Sequence, residues 1–239
     1  MDSGYIGFTT GTNDAYAVVK EYVRRQPFAP LAYYLSALER LTTYGFGDPQ
    51  RDDTSQLPQF PEAWRNAACS DPVFIQTQLD VGEAMYLQPA LRYAASAGVT
   101  SNLGKAIFYD TIVQHGWQYV EPYINLPRLL ALTGPKRAGE SEKDYLTRFL
   151  TTRRQLVCCY PGGVWNDSAD RMQDWQTVVN QWEQTQDLRN RVVLPIYGAS
   201  VTGNEDIHVD SQRCRGTRRN SHPRLPESIS VSLPTTCDR

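Results

Sequence analysis

The most apolar of the predicted helical segments is Asn102–His115, Asn-Leu-Gly-Lys-Ala-Ile-Phe-Tyr-Asp-Thr-Ile-Val-Gln-His. Its apolar residues recur at helical spacing, so the stretch predicts a helix at the buried centre of a helical protein. Asp110 falls inside this apolar run. Because a buried carboxylate must be paired or hydrogen-bonded, we expect it to contact Arg153 and Arg171, each at the edge of a predicted helix. The alternative is an ion pair with a structural role only.

Helical patterns continue on both sides of this stretch, and short strand-like runs stand near Gly4 and at Val192–Tyr197. The sequence therefore predicts a mainly helical α+β fold with a small strand region. Thr12-Asn13-Asp14 and the Ser-x-x-Asp pattern that begins at Ser141 are typical helix starts. The predicted helices cover Ala15–Arg25, a segment from Pro30, Pro61–Ala68, Asp71 to Pro89, Pro89–Ala97, Asn102–His115, part of 117–139, Ser141–Leu156 and Ser168–Asp187.

The composition indicates a folded protein with one domain or two lobes. Of the 239 residues, 41% are hydrophobic and 21% are charged, which favours a packed core over global disorder. The net charge of −2 gives no indication of a nucleic-acid partner. No run of about 18 apolar residues exists, so we expect no membrane-spanning helix.

The five cysteines match neither a zinc-binding spacing nor a CxxC redox pair, so we expect no metal and no cofactor. A disulfide between Cys69 and Cys158 or Cys159 is one option in an oxidising compartment, but the sequence does not assign the pairing. The remaining cysteines are Cys214 and Cys237. One glycosylation sequon stands at Asn166-Asp167-Ser168.

The character of the chain changes at Ala199. Apolar periodicity fades after this residue, and Ser, Thr, Arg and Pro dominate. The six Arg of this tail are nearly balanced by its five Asp or Glu, which argues against a basic nucleic-acid arm. We therefore expect a folded domain over 1–198 and a polar, disordered extension over 199–239.

Several blocks in one order resemble the family 46 glycoside hydrolases, the chitosanases, over residues 4–198. Phe108–Gly116 is similar to the family's Tyr-Tyr-Asp-Ala-Ile-Val-x-His-Gly, and Glu142–Leu150 with Arg153 follows its Glu-x-x-Tyr-Leu-x-x-Phe-Leu-x-x-Arg. The other blocks are Gly7–Asp14, Leu31–Leu38 and Met85–Ala90, in which Gln88 stands where the family has Asp.

This resemblance implies a lysozyme-like fold with two lobes and a cleft, and endo-hydrolysis of β-1,4 bonds in chitosan with inversion. Inversion uses an acid and a base carboxylate about 6.5–9.5 Å apart. In the family both precede the block that Gly7–Asp14 resembles, so we expect them upstream of Met1. The chain is then incomplete at its N-terminus, contains no catalytic residue and is itself inactive. The resemblance also implies an extracellular monomer, although no signal peptide is visible.

The resemblance assigns site residues of two kinds. Asp14 matches a cleft aspartate that binds glucosamine, and a helix-capping role is the alternative; Thr12 and Asp80 are weaker candidates for substrate binding. Asp110, Arg153 and Arg171 match a charged network behind the catalytic acid. Tyr86 and His115 also match family positions, and we interpret both as structural.

Three functions remain open at this point. The first is a chitosanase, whose partners are chitosan or glucosamine oligosaccharides. The second is a protein that binds cationic polysaccharide through Asp14 without cutting it. The third is a helical domain in which the ion pairs only stabilise the fold.

Overall fold

The computed structural model describes residues 2–46, 48–118, 124–159 and 168–201. These residues are mainly helical, with two small pairs of antiparallel strands, which confirms the predicted fold class. The chain divides into two compact units, with the boundary between Gln88 and Pro89. The sequon residues Asn166 and Asp167 and the predicted extension beyond Val201 lie outside the described residues.

The first unit begins with a short hairpin in which β1 pairs with β2 in the register Asp2 to Thr9 and Ser3 to Phe8. Pro30 and Pro72 begin their helical segments, where the missing proline N–H leaves no hydrogen bond unmade. Its elements are β1 (Asp2–Ser3), β2 (Phe8–Thr9), α1 (Asp14–Arg25), a 3₁₀ helix (Pro30–Tyr34), α2 (Leu35–Thr42), a 3₁₀ turn (Pro49–Asp52), α3 (Phe60–Ser70), α4 (Pro72–Gly82) and a π-helical turn (Glu83–Leu87).

An aromatic cluster holds the first unit together. Trp64 packs edge-on against Phe74, with ring centroids 4.9 Å apart, and it also contacts Phe8 and Phe60 at 6.0 and 5.8 Å. All four rings are buried. Fully burying such a side chain stabilises a fold by about 1.5–3 kcal/mol, so this cluster fixes the strand that carries Phe8 against α3 and α4.

The second unit is organised around α6, whose bounds are those predicted from the sequence. Phe108 of α6 stacks on Phe149 with ring centroids 4.9 Å apart. Within the described ranges, no helix combines the length and apolar character needed to span a bilayer. The elements are α5 (Gln88–Ser96, which begins at the unit boundary), α6 (Asn102–His115), α7 (Leu126–Thr133), α8 (Glu142–Cys158), α9 (Ala169–Asn180), α10 (Trp182–Thr185), β3 (Val192–Leu194) and β4 (Ala199–Val201).

Two predicted helices of this unit differ from the observed ones. Among the residues of 117–139 that the structure describes, 117–118 and 124–139, the helix is α7 alone, which has Pro127 in its first turn, where the ring geometry of proline is tolerated. The helix predicted over Ser168–Asp187 is broken near Gln181. Thr185 donates its hydroxyl to the carbonyl oxygens of Val178 and Gln181, at 2.8 and 3.1 Å, so groups freed by the break remain hydrogen-bonded.

The last described elements of the second unit form a hairpin. Val192 pairs with Val201 and Leu194 with Ala199 in an antiparallel register. The structure therefore contains a strand in the first three residues of the segment that the sequence assigns to the polar extension.

Candidate functional site

A charged cluster in the second unit brings together three predicted site residues. Nη1 of Arg153, on α8, lies 2.8 Å from Oδ2 of Asp110, on α6. Nη2 and Nε of Arg171, on α9, lie 2.6 and 2.7 Å from the other oxygen, Oδ1. The ion pairing predicted from the sequence is thus confirmed, whereas the role of the cluster in catalysis stays a prediction.

Arg153 is the most deeply buried member of the cluster, with no exposed surface. Its guanidinium also donates to Thr111 Oγ1 at 2.9 Å and to Oε1 of Gln114. Its Nε is buried without a hydrogen-bond partner among the described residues. Because those residues supply two guanidinium groups and one carboxylate, the cluster carries one excess positive charge.

The two guanidinium groups of the cluster lower the pKa of Asp110 and of the nearby His115. Burial acts to raise the pKa of Asp110, but the charges and hydrogen bonds of Arg153 and Arg171 outweigh it, so this pKa lies below its ordinary value. The pKa of His115 is lowered well below its ordinary value by burial and then by the same two cations. His115 is therefore neutral near pH 7 and adds no further charge.

Arg171 is supported on its other side by the β3–β4 turn. Asp174, one helical turn further along α9, is buried and accepts the backbone N–H groups of Ile196 and Tyr197 at 2.9 and 3.0 Å. The Tyr197 side chain also hydrogen-bonds Arg171. Sequence reasoning missed both residues, although Asp174 stands, like Asp110, on an apolar helix face.

In the first unit, Asp14 lies at the start of α1 and is only 2% exposed. Its Oδ1 accepts the backbone N–H groups of Thr9 and Ala15 at 2.5 and 2.8 Å, and its Oδ2 accepts the hydroxyl of Tyr86. Tyr86 lies on the π-helical turn, an irregularity often found at functional sites. Tyr86 is therefore a partner of Asp14, a contact that the sequence analysis did not foresee.

The environment of Asp14 opposes its negative charge. Burial raises its pKa, and hydrogen bonds from Tyr86, Thr9, Thr12 and Ala15 offset only part of that shift. A cation near this carboxylate would favour its charged form.

The start of α1 differs from the predicted cap. Asn13 is the N-cap residue, but it has φ of 68° and makes no side-chain capping hydrogen bond. Its neighbour Thr12 bonds Thr9 instead, with 2.8 Å between the two Oγ1 atoms. The loop is thus folded back on β2, and Asp14 accepts the N–H of Ala15, the second residue of α1, in place of a regular cap.

The loop before α1 is fixed from outside by Arg51. This buried side chain donates Nε to the carbonyl oxygen of Gly11 and Nη1 to that of Tyr44, both at 2.6 Å. Sequence reasoning missed this contact because it joins two segments classed as loops. Arg51 therefore sets the position of the loop that leads into Asp14.

Asp80, one of the two weaker substrate-binding candidates, pairs with residues of its own unit. Its Oδ2 lies 2.7 Å from Nη1 of Arg25, and its Oδ1 accepts the Gln76 amide at 2.8 Å. These contacts hold its pKa below the ordinary value. Much of its charge is therefore compensated within the first unit.

The cysteines correct one prediction. Cys69 is in a disulfide, whereas Cys158 and Cys159 are free thiols, so the pairing of Cys69 with either of them is wrong. Cys158 and Cys159 lie at the end of α8. Among the described residues, no group of three or more His, Cys, Asp or Glu side chains is placed to hold a metal ion.

Comparison with known proteins gives the same family as the sequence motifs. Residues 1–186 match the family described as glycosyl hydrolase family 46. A chitosanase from Bacillus subtilis (strain 168) is 36% identical over 155 residues, which are 63% of this chain and 53% of that protein. The chain thus spans about half the length of the curated relatives it matches.

Solved structures agree with this match. The complex of a chitosanase from Gynuella sunshinyii with chitotetraose is similar with a TM-score of 0.69 and 28% identity, over 84% of this chain and 82% of that one. A mutant chitosanase from Bacillus subtilis complexed with 6 GlcN gives a TM-score of 0.66 and 30% identity, over 80% of each chain.

The fold and these matches together define a class of proteins with a mainly helical, lysozyme-like architecture. Asp110 and Arg153 of the buried cluster lie on α6 and α8, which carry two of the sequence blocks that resemble this family. The chain belongs to glycosyl hydrolase family 46.

Proposed function

We propose that this protein is a chitosanase, which hydrolyses β-1,4 bonds between glucosamine units of chitosan with inversion. The observation that carries the proposal is the contact of Asp110 with both Arg153 and Arg171 in a chain of this family. The names of the two similar structures reported above supply the substrate class. One is a chitosanase in complex with chitotetraose, and the other is a mutant chitosanase complexed with 6 GlcN.

The cluster suits a place beside a catalytic acid. The two guanidinium groups without Asp110 would strongly lower the pKa of a neighbouring carboxyl group and keep it ionised, which would prevent proton donation to the leaving oxygen. Asp110 offsets one of the two positive charges, and the remaining charge favours the conjugate base after the proton has left. In this proposal Asp110, Arg153 and Arg171 are positioning residues, and the acid and base come from sequence upstream of Met1.

Asp14 is the proposed substrate-binding carboxylate. An ammonium group of glucosamine would stabilise the negative charge that burial disfavours, and charge-assisted pairing of this type is strong. Thr12 and Asp80 are proposed as weaker contributors, because their side chains already bond Thr9 and Arg25.

The remaining features of the proposal follow from the substrate. Chitosan is a polymer that cells cannot take up intact, so we propose that the protein is secreted, degrades the polysaccharide outside the cell and acts as a monomer. The folded part that serves this activity is proposed to cover residues 1–198, with 199–239 as an extension.

A second candidate function is binding of cationic polysaccharide without cleavage. This function is favoured because the described residues supply only one carboxylate, Asp110, to the cluster, whereas hydrolysis with inversion uses two. One experiment separates the two functions. The purified chain is incubated with chitosan, and both binding and the release of reducing ends are measured. The same assay is run on the chain joined to the segment that precedes the matched region in the Bacillus subtilis relative.

We expect binding by both proteins and cleavage by the extended protein only, with Asp110→Asn in the extended protein as the matched control that loses cleavage. Cleavage by the chain alone would contradict the placement of the catalytic carboxylates upstream of Met1. Binding with no cleavage by either folded protein would favour the second function. Absence of binding would contradict both.

A further inference from the structure

Tyr5 is a large aromatic side chain that is both exposed and held in place. It is 53% exposed, yet its ring packs edge-on against the buried Phe8 with centroids 5.8 Å apart. At its other end, the hydroxyl lies against Gly82, where α4 joins the π-helical turn. The side chain is therefore held at two points while about half of its surface is exposed.

Gly82 has no backbone reason to be glycine. Its φ and ψ of −62° and −41° are those of an ordinary right-handed helix, in which glycine costs about 1 kcal/mol relative to alanine. A Cβ at this position would lie 1.9 Å from the Tyr5 hydroxyl oxygen and 2.9 Å from its Cζ, closer than real Cβ atoms approach. The glycine thus provides the space that the Tyr5 phenol occupies.

The same two segments that hold Tyr5 also hold Asp14. Phe8 packs on Tyr5, and the next residue, Thr9, donates its N–H to Asp14. Gly82 accommodates Tyr5, and Tyr86, four residues further along the same helical segment, donates its hydroxyl to Asp14. The exposed ring and the buried carboxylate are therefore held by the same two segments of the first unit, which we call the Asp14 framework.

We propose that the Tyr5 ring is a platform on which one glucosamine unit stacks, next to the unit whose ammonium group binds at Asp14. This inference rests on the proposed function. Asp14, at 2% exposure, can supply charge but little contact area, so an exposed neighbouring group must supply that area.

The chemistry of the ring fits this ligand. The apolar face of a pyranose packs on an aromatic ring, and the ammonium group of glucosamine is attracted to the ring face. Because Phe8 and Gly82 already hold the ring, little side-chain entropy is lost on binding. Tyr33 provides a matched contrast, since it is 76% exposed on the same unit but contacts the buried Tyr34 instead of the Asp14 framework.

The test measures the affinity of the full chain for the glucosamine hexamer by calorimetry. We expect Tyr5→Ala to weaken binding about tenfold, and Tyr5→Phe, which keeps the ring, to change it less than about twofold. Gly82→Ala should weaken binding to a similar extent by displacing the ring. The double variant should bind no more weakly than Tyr5→Ala alone, because both changes remove the same contact. Tyr33→Ala should bind like the parent chain.

Melting temperatures establish that each variant is folded. Unchanged affinity in Tyr5→Ala, equal losses in Tyr5→Phe and Tyr5→Ala, or additive losses in the double variant would overturn the platform while leaving the proposed function intact. If the parent chain itself fails to bind the hexamer, both proposals are overturned.

Discussion

Arg153 and Asp110 are 43 positions apart in the sequence, and their side chains meet at 2.8 Å. The first prediction concerns this pair. Asp110→Asn leaves a buried guanidinium without its full counter-charge, and we expect a loss of about 3–5 kcal/mol in the free energy of unfolding. Urea denaturation measures this value.

The matched control is Asp187→Asn, which removes an exposed aspartate paired with Arg189 at 3.6 Å in the same unit. Exposed pairs of this kind contribute about 0–1 kcal/mol. Equal effects of the two substitutions would contradict the electrostatic role assigned to Asp110.

The second prediction uses pH, because Asp110 and Asp14 have pKa values shifted in opposite directions. The lowered pKa of Asp110 contributes stability above the ordinary value of 3.8 that is lost as the pH falls through the folded-state value. The raised pKa of Asp14 contributes stability in acid that is lost as the pH rises through its folded-state value.

As the pH falls from 7 toward 3, the stability advantage of the parent chain over Asp110→Asn should therefore shrink. Its advantage over Asp14→Asn should grow. Denaturation series at several pH values check both trends, and trends of the same sign would show that one of the two assignments is wrong.

The side-chain contacts of the second unit could be predicted from the sequence more completely than those of the first. Asp110 could be paired with Arg153 and Arg171 because one carboxylate inside an apolar helix needs a partner, and few cations flank that helix. Asp174 could have been found by the same argument, since it also stands on a helix face that is otherwise apolar.

The first unit could not be predicted in the same way, because its contacts join irregular segments. The π-helical turn that places Tyr86 on Asp14 has no periodic signature, and Arg51 joins two loops across 40 positions. Gly82 was the one available signal, since a glycine within a predicted helix needs a packing reason. The pairing of Cys69 in its disulfide could not be predicted, because the spacing of cysteines in a sequence does not determine which of them are bonded.

The third prediction concerns Arg51. Arg51→Lys keeps the charge but cannot donate to the Gly11 and Tyr44 carbonyl oxygens at once, because an ammonium lacks the planar fork of a guanidinium. We expect a loss of about 1–3 kcal/mol in the free energy of unfolding, as for other buried groups left unsatisfied. Arg24→Lys, at an exposed position on α1, should change stability by less than about 0.5 kcal/mol. A similar effect of both substitutions would argue against a positioning role for Arg51.

The fourth prediction concerns the thiols. Cys159 is exposed and Cys158 is half-buried, so a thiol reagent should modify Cys159 of the folded protein faster than Cys158. Mass spectrometry of peptides from the native protein locates the modification, and Cys159→Ser should abolish the faster of these two reactions. Cys69 should react only after reduction. Early labelling of Cys69 without a reductant would contradict the cysteine assignment.

We propose that this family 46 chain recognises the positive charge of glucosamine through Asp14. Calorimetric titration with the glucosamine hexamer and with its fully N-acetylated counterpart, which has the same backbone without the ammonium groups, tests this role. We expect binding of the glucosamine hexamer only, with an affinity that falls as salt is added and falls further in Asp14→Ala. Equal binding of the two hexamers, or an affinity unchanged in Asp14→Ala, would contradict it.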